Sequence, residues 1–464
     1  MNIINTSHIK PHYHFIGIGG IGMSALAIFC LQKGYSVSGS DVQSSEITEK
    51  LIQLGAKIHI EHHADHLIHA DAVIYTSAMT KDNPEYQQAI AKGMKVYHRA
   101  EFLAFLIKNY SEIIAITGTH GKTTITSLIA HIMSEAELNP SYLIGGIAHN
   151  LKYHAYASNS PFVTIEADES DASFLKLNVK HLIISNVDLD HMQTYDHKID
   201  ELINSFAQFA TRDTISGEIL IGSDTENAKR LINKISFIKP QVRHYGFNPN
   251  MDIYALNYRQ LNQQTIFDIC YQGQLIQDFR LRLPGKHNVE NALAAIALCL
   301  KLNISLGIIK KALTSFTGIY RRFDHYEHTL NHKQVDIIDD YGHHPVEINS
   351  TLEAIEKRFP NRRLVHVYQP HRYTRTRDLF DDFIDCLATA DIVILMSTYA
   401  ASEATIEGAG AHDLFNALCK KHKQCFYVES IEEAKVKLDQ LITENDVILV
   451  QGAGDIAKLI EHLI

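Results

Sequence analysis

The chain has no C-x-x-C pair, and its cysteines (Cys30, Cys270, Cys299, Cys386, Cys419 and Cys425) are scattered. That argues against a disulfide framework and predicts free thiols in a reducing, cytoplasmic setting. No run of about 18 apolar residues occurs, so no membrane-spanning helix is expected. The first residues lack the charged-then-apolar layout of a secretion signal, and none is expected. Positive charge is in deficit: the formal net charge is −10, which argues against a nucleic-acid partner. There is no low-complexity tract and no internal repeat. What remains is 464 residues with 45% hydrophobic content, an ordinary globular composition. The length suits about three domains.

The residue pattern predicts α/β architecture in three segments. In the first, Tyr13–Ile18, Ser36–Gly39, Ala72–Thr76 and Lys95–Tyr97 read as strands and Ile21–Lys33 as a helix. Alternation of this kind gives a parallel sheet covered by helices. A helix over Ala100–Tyr110 leads into the second segment. There, Phe162–Ile165 and Leu182–Ser185 are apolar strands ending in polar residues, where an α/β sheet places its site. Asp252–Leu283 reads as strands without helices, antiparallel in pattern, and Asn288–Leu302 as a helix. The third segment has strands at Val335–Ile338, Leu364–Tyr368, Ile392–Met396 and Val447–Val450. Domain limits are expected at 1–107, 108–318 and 319–464.

ITGTHGKTT, Ile116 to Thr124, follows an apolar strand and opens a helix, as a phosphate-binding loop requires. Gly118 and Gly121 let the backbone approach a phosphate, and the free N–H groups of a helix start bind anions. Lys122 can reach β- and γ-phosphates, and the Thr123 hydroxyl can ligate Mg²⁺. The loop is short for its class, with Gly118 only three residues before Gly121. Glu166 closes a strand, and Asp168, Glu169 and Asp171 crowd beside it. Such carboxylates suit Mg²⁺, or simply an acidic helix start. His191, just past the next strand, suits a metal, a carboxylate or a structural role equally.

Gly17, Gly19 and Gly22 form G-x-G-x-x-G after a strand, with Asp41 at the end of the next. The spacing fits a dinucleotide such as NAD, another diphosphate, or a ligand-free turn, since the helix start recognises charge and not the base. Asn288 and Asn291, in GKHNVEN, can cap their helix or meet an adenine edge, capping being the default. Tyr341 lies in DDYGHHP, and His371, Arg372 and Arg375 make a compact cationic group in QPHRYTRT. Arginine forks bind carboxylate or phosphate, so an amino acid or ATP phosphates would fit. Arg321 and Arg322 sit at the inferred junction of the second and third segments. His59, His62, His63, His66 and His69 crowd together without supporting ligands and read as surface histidines in a chain with 28 histidines.

Together these stretches closely resemble the Mur ligases. The match rests on GIGGIGM (17–23), ITGTHGKTT (116–124), EADESDASF (166–174), DHMQTY (190–195), GKHNVENALAA (285–295), RRFD (321–324), DDYGHHP (339–345), QPHRYTRT (369–376) and QGAGDI (451–456). Two stretches depart from the family. A Glu and an Ala are usual where Val187–Asp190 stands, and Ser402 replaces the glycine of a Y-A-A-G-E motif. No counterpart of the carbamylated lysine of some sister ligases is identifiable.

The resemblance implies a Rossmann-like UDP-binding domain, a central P-loop ATPase-like domain with a mostly parallel sheet, and a C-terminal Rossmann-like α/β domain. It implies an ATP-dependent ligase joining L-alanine to the lactyl carboxylate of UDP-N-acetylmuramate in peptidoglycan biosynthesis, working as a monomer or homodimer. Gly17, Gly19, Gly20, Gly22, Asp41, Ser77 and Arg99 would bind the UDP-substrate, which turns the glycine loop from an NAD site into a UDP-diphosphate site. Gly118, Thr119, His120, Gly121, Lys122, Thr123, Thr124, Asn288, Asn291 and Arg322 would bind ATP. Thr123, Glu166 and His191 would ligate Mg²⁺, with two ions expected. Lys122, Glu166 and His191 would be catalytic. Tyr341, His371, Arg372 and Arg375 would position L-alanine, and His344 and His371 are alternatives for the base that deprotonates its amine.

Overall fold

The computed structural model describes residues 10–77, 79–190, 192–239, 241–261, 264–401 and 403–464. They divide into two compact units. One holds the chain to Leu256 with Ile269–Gln277 and Glu290–Leu313; the other holds Asn257–Asp268, Asp278–Val289 and Thr314–Ile464.

In the first unit, β1 (His12–Ile16), β2 (Ser36–Asp41), β3 (Lys57–Ile60), β4 (Ala72–Tyr75) and β5 (Lys95–His98) form a sheet of order β3-β2-β1-β4-β5. All four pairings are parallel. β1 stops at Ile16, earlier than the apolar run suggests, because Gly17 turns the chain at φ +74°. Its N–H and that of Ile18 donate to the Ser40 carbonyl at the end of β2. The next helix, Ile21–Gln32, is buried along most of its length. The helix expected over Ala100–Tyr110 runs Arg99–Ile107.

β6 (Glu112–Thr117), β7 (Ser141–Leu143), β8 (Ala155–Tyr156), β9 (Phe162–Glu166), β10 (His181–Ile184), β11 (Ile219–Gly222), β12 (Val242–Gly246), β13 (Ile253–Leu261), β14 (Gln264–Tyr271) and β15 (Gln274–Leu281) build a ten-stranded sheet. Its order is β15-β14-β13-β12-β11-β10-β6-β9-β7-β8, parallel from β12 through β11, β10, β6 and β9 to β7. β6, β9 and β10 are Val/Ile-rich because parallel strands are covered on both faces. One apolar core joins this sheet to the first through Phe102, Phe174 and Phe206.

In the second unit, β16 (Asp324–Leu330), β17 (Lys333–Asp340), β18 (Leu364–Tyr368), β19 (Ile392–Met396), β20 (Cys425–Val428) and β21 (Val447–Gln451) take the order β16-β17-β21-β18-β19-β20. Only β16–β17 is antiparallel. Asp340, Tyr368 and Gln451 therefore end neighbouring strands on one side.

The reading of the clustered histidines needs correction. His63 and His69 are exposed, but His62 and His66 are part-buried against Glu85, which is fully buried. His66 Nδ1 lies 2.7 Å and His14 Nε2 3.4 Å from its carboxylate, and Ser40 Oγ donates to it. Burial alone would raise the Glu85 carboxyl, yet these partners outweigh it and hold it near about 2. The folded value lies below the ordinary one. This stabilisation is therefore complete above pH 4.5 and is lost as pH falls through about 2. A gap of that size is worth about 3 kcal/mol. Glu85→Gln should thus be less stable than wild type at pH 7, by urea denaturation, with a deficit that narrows between pH 4.5 and 2. A pH-independent deficit would contradict the assignment.

Candidate active site

The turn from β6 into the helix Lys122–Glu135 is bent by two glycines, Gly118 at φ +119° and Gly121 at φ +83°. A Cβ on Gly118 would lie 2.4 Å from Ser185 Oγ, and one on Gly121 2.3 Å from Asn291 Oδ1. Only glycine fits either place. The loop is then pinned to the end of β10. The His120 N–H donates to Asn186 Oδ1 at 2.9 Å, and its carbonyl accepts from Ser185 Oγ and Asn186 Nδ2. Thr119 Oγ1 accepts from the Asp188 N–H at 2.9 Å, and Thr124 is buried behind the loop.

Lys122 Nζ folds back into this loop. It donates to the carbonyls of Gly118 (2.6 Å) and Thr119 (3.1 Å) and to Glu169 Oε1 (2.9 Å), with Glu169 Oε2 at 2.8 Å. Burial by itself would lower the Lys122 ammonium, but Glu169 and Asp168 override it, and the net direction is upward. Glu169 is only 2% exposed, and burial pushes its carboxyl up to about 7 against the pull of Lys122. Glu169 was visible in EADESDASF as one acid among several. Its pairing with Lys122, from 47 residues away, had no sequence signal.

Glu166 ends β9 beside the loop. Its carboxylate accepts the Gly145 N–H at 2.6 Å and Thr123 Oγ1 at 3.3 Å. Burial raises its pKa, with Gly145 and Lys122 opposing. A raised, oxygen-only donor set of Glu166 and Thr123 fits a hard divalent cation, whose charge would offset that burial. The third expected ligand, His191, lies outside the described residues. Among the described residues the compact group of possible metal ligands is elsewhere, at His325, Glu327 and Asp336. There Arg358 donates to His325 Nδ1 at 2.7 Å, so His325 offers a protonated Nε2 to Asp336, the wrong tautomer for a ligand.

The expected capping role of the asparagines is not what the geometry gives. The helix starts at Lys286, so both lie inside it. Asn288 Nδ2 donates to the Pro284 carbonyl at 2.7 Å, and Asn291 packs on Gly121.

The glycine loop of the first sheet gathers the remaining expected residues. Gly19 N–H donates to Asp41 Oδ2 at 2.8 Å, and Gly20 precedes the helix as its N-cap. A Cβ on Gly22 would meet Arg99 Nη1 at 3.2 Å. Arg99 Nη2 pairs with Asp168 at 3.1 Å, and Ser77 Oγ donates to Asp171 at 3.1 Å. Arg99 and Ser77, two of the seven candidate UDP-substrate residues, thus touch the acidic segment that also holds Lys122.

In the second unit, Arg321 is committed internally, to Asp339 at 3.1 Å and the Gly452 carbonyl at 2.6 Å. Burial raises Asp339 to about 6 against that pairing. Both arginines lie over the Tyr341 ring, Arg321 5.4 Å and Arg322 5.2 Å from its centroid, and Arg322 also pairs with Glu347 at 3.5 Å. His371 stacks on Tyr399 (5.5 Å, 11°) and lies 5.6 Å from His343. Arg375 Nη1 is 3.2 Å from His371 Nδ1. Arg372 sits at φ +72°, and its buried Nε has no hydrogen-bond partner among the described residues. His344 Nδ1 accepts the Val346 N–H and caps the helix Pro345–Arg358, so one ring nitrogen is engaged in each of the two candidate bases.

Residues 12–111 match the model of the Mur ligase family catalytic domain, 116–299 the Mur ligase middle domain and 321–454 the Mur ligase glutamate ligase domain. The chain belongs to the Mur ligase family. It is 42% identical to the UDP-N-acetylmuramate–L-alanine ligase of Ruthia magnifica, over 96% of this chain and 94% of that one. It is 40% identical to the enzyme of that name from Francisella tularensis subsp. holarctica, over 97% and 98%. The crystal structure of the Thermotoga maritima UDP-N-acetylmuramate–alanine ligase superposes with a TM-score of 0.83 at 29% identity, covering 98% of this chain and 99% of that one. A Psychrobacter arcticus murein peptide ligase shares the fold, with a TM-score of 0.72 at 21% identity over 98% of each chain. The three-domain α/β fold expected of a Mur ligase is therefore present.

Gly121→Ala should cost about 1–3 kcal/mol, because it combines strain at positive φ with a clash on Asn291. Thermal unfolding and titration with a fluorescent ATP analogue should show both a lower melting point and lost nucleotide affinity. A variant with wild-type nucleotide binding would contradict the loop assignment.

Proposed function

We propose that the protein is an ATP-dependent ligase that joins L-alanine to the lactyl carboxylate of UDP-N-acetylmuramate, a step of peptidoglycan biosynthesis. The observation that carries this is one short segment, Glu166–Asp171. It touches the phosphate loop through Glu166 and Glu169 and the glycine loop side through Asp168 and Asp171. A triphosphate site and a sugar-nucleotide site so joined suit transfer of a phosphoryl group to an acid on that sugar. The names of the full-length relatives support the same reading.

Amide formation in water needs an activated acid. A lactyl carboxylate oxygen attacks the γ-phosphorus, ADP leaves, and an acyl phosphate forms. The alanine amine attacks the acyl carbonyl, a tetrahedral intermediate collapses, and phosphate leaves. The first step brings two anions together, and a unit pair at about 4 Å repels by roughly 4 kcal/mol at an effective dielectric near 20. That is about a thousandfold in rate. The Lys122 ammonium is the chain's own remedy, already fixed in the loop where the phosphates would lie. Thr123, Glu166 and His191 would hold Mg²⁺, which when bound supplies further charge neutralisation.

Gly17, Gly19, Gly20, Gly22 and Asp41 take the UDP part, with Ser77 and Arg99 beside them. Gly118 to Thr124 and Asn291 take the triphosphate, with Asn288 and Arg322 as further ATP contacts. Tyr341, His371, Arg372 and Arg375 take L-alanine, the arginine forks matching its carboxylate. The domain limits 1–107, 108–318 and 319–464 belong to this reading, as does a cytoplasmic setting.

Phosphate release from ATP, assayed with UDP-N-acetylmuramate across a panel of amino acids, tests the function. L-alanine should be the best acceptor, with glycine or serine slower by about 10–200-fold, because one methyl group in a pocket is worth only about 1–3 kcal/mol. Release independent of the amino acid would point instead to an ATP-driven binding module. Lys122→Ala should abolish turnover while calorimetry still detects UDP-N-acetylmuramate; loss of both affinities would refute the division of roles.

A further inference from the structure

The acidic segment after β9 alternates its allegiance. Asp168 and Asp171 face the first sheet's domain, whereas Glu166 and Glu169 face the phosphate loop. The segment is locally braced. The Ser170 N–H donates to Asp168 Oδ1 at 3.1 Å, the Ser173 N–H to Asp171 Oδ1 at 2.9 Å, and Tyr195 Oη to the Glu169 carbonyl. The Ala172 N–H closes a turn on that same carbonyl at 3.0 Å, with Ala172 at φ +57°. A braced backbone with two adjacent carboxylates fixes the cations they hold.

Those cations belong to different sites. Arg99 is held by Asp168 across Gly22, at the start of the helix Ile21–Gln32, where its guanidinium and the helix N–H groups point to a diphosphate. Lys122 is held by Glu169 inside the phosphate loop. Neither carboxylate need touch a substrate for its effect to be felt.

We propose that Asp168 and Glu169 are positioning residues: Asp168 sets Arg99 for the sugar-nucleotide diphosphate, and Glu169 sets Lys122 for the triphosphate. The inference rests on the function proposed above and adds two residues to its machinery. A charge-assisted pair of this kind restrains a long side chain that would otherwise lose rotamer entropy on meeting its ligand. Arg99 is separated from Asp168 by 69 residues, so the restraint is tertiary and ties two folded domains to one segment.

Calorimetry with UDP-N-acetylmuramate and steady-state kinetics test this on the full-length Asp168→Asn, Asp168→Glu, Glu169→Gln, Glu169→Asp and Arg99→Ala variants. Asp168→Asn should weaken UDP-N-acetylmuramate about tenfold, as loss of a charge-assisted hydrogen bond implies, and change KM for ATP far less, because Lys122 keeps its direct Glu169 pair. Glu169→Gln should leave UDP-N-acetylmuramate affinity unchanged and lower kcat about a hundredfold, the scale of a misplaced catalytic cation. Asp168→Glu and Glu169→Asp should each recover part of the loss. If Arg99→Ala weakens UDP-N-acetylmuramate but Asp168→Asn does not, the inference falls and the site reading stands. If Arg99→Ala binds as wild type, the assignment of Arg99 falls and the inference with it. Equal loss of both substrates with a lowered melting temperature, unrelieved by the conservative variants, would show a merely structural role and overturn the proposal.

Discussion

A buried ammonium has to be matched, and around Lys122 the match dictates the local structure. Its partners are two loop carbonyls and the Glu169 carboxylate. For those carbonyls to turn inward, Gly118 and Gly121 must take positive φ, and β10 must end close enough for Ser185 and Asn186 to brace the loop. Glu169 comes three residues after the end of β9, and the turn that follows it is closed by the Ala172 N–H on the Glu169 carbonyl. The parallel order β10-β6-β9 puts both strand ends on either side of the loop. Fold and site are consequences of the same pairing.

The cation is therefore already positioned in the loop by two carbonyls and a carboxylate. Preorganised charge costs no reorganisation at the moment of reaction, and that is where most electrostatic catalysis originates. Glu169 keeps an otherwise uncompensated charge from destabilising the empty loop. The adjacent Asp168 does the same for Arg99 at the glycine loop. A single acidic segment thus balances a cation at each of the two glycine loops in the first unit. The second unit follows a similar rule on its own strand ends, where Asp339 neutralises Arg321 and leaves Arg322 and Arg372 oriented by aromatic and backbone contacts.

Much of this was legible in the sequence wherever the signal is local. Strand–glycine–helix passages at Gly17 and Gly118 are contiguous, and the physics that demands glycine there acts over a few residues. The strands Leu364–Tyr368 and Ile392–Met396 match to the residue because buried parallel strands are mostly apolar, with His366 the one polar interruption between them. Pairings across long separations were not legible. Nothing in ADESD says which acid meets Lys122 and which meets Arg99. The histidines near His62 read as surface because their organiser, Glu85, lies in a different helix and His14 in a different strand. Asn288 and Asn291 read as caps because nothing in the run after Gly285, three residues before Asn288, marks Lys286 as the helix start.

The central claim is that the cradle around Lys122 delivers a phosphoryl group to the sugar-borne carboxylate. Oxygen-18 in both lactyl carboxylate oxygens of UDP-N-acetylmuramate reports on this directly, because an acyl phosphate carries one labelled bridge oxygen into the released phosphate. Mass spectrometry of the phosphate should find a single oxygen-18 in each molecule formed with L-alanine. Phosphate free of the label would mean that the carboxylate never attacks phosphorus, and would contradict the account.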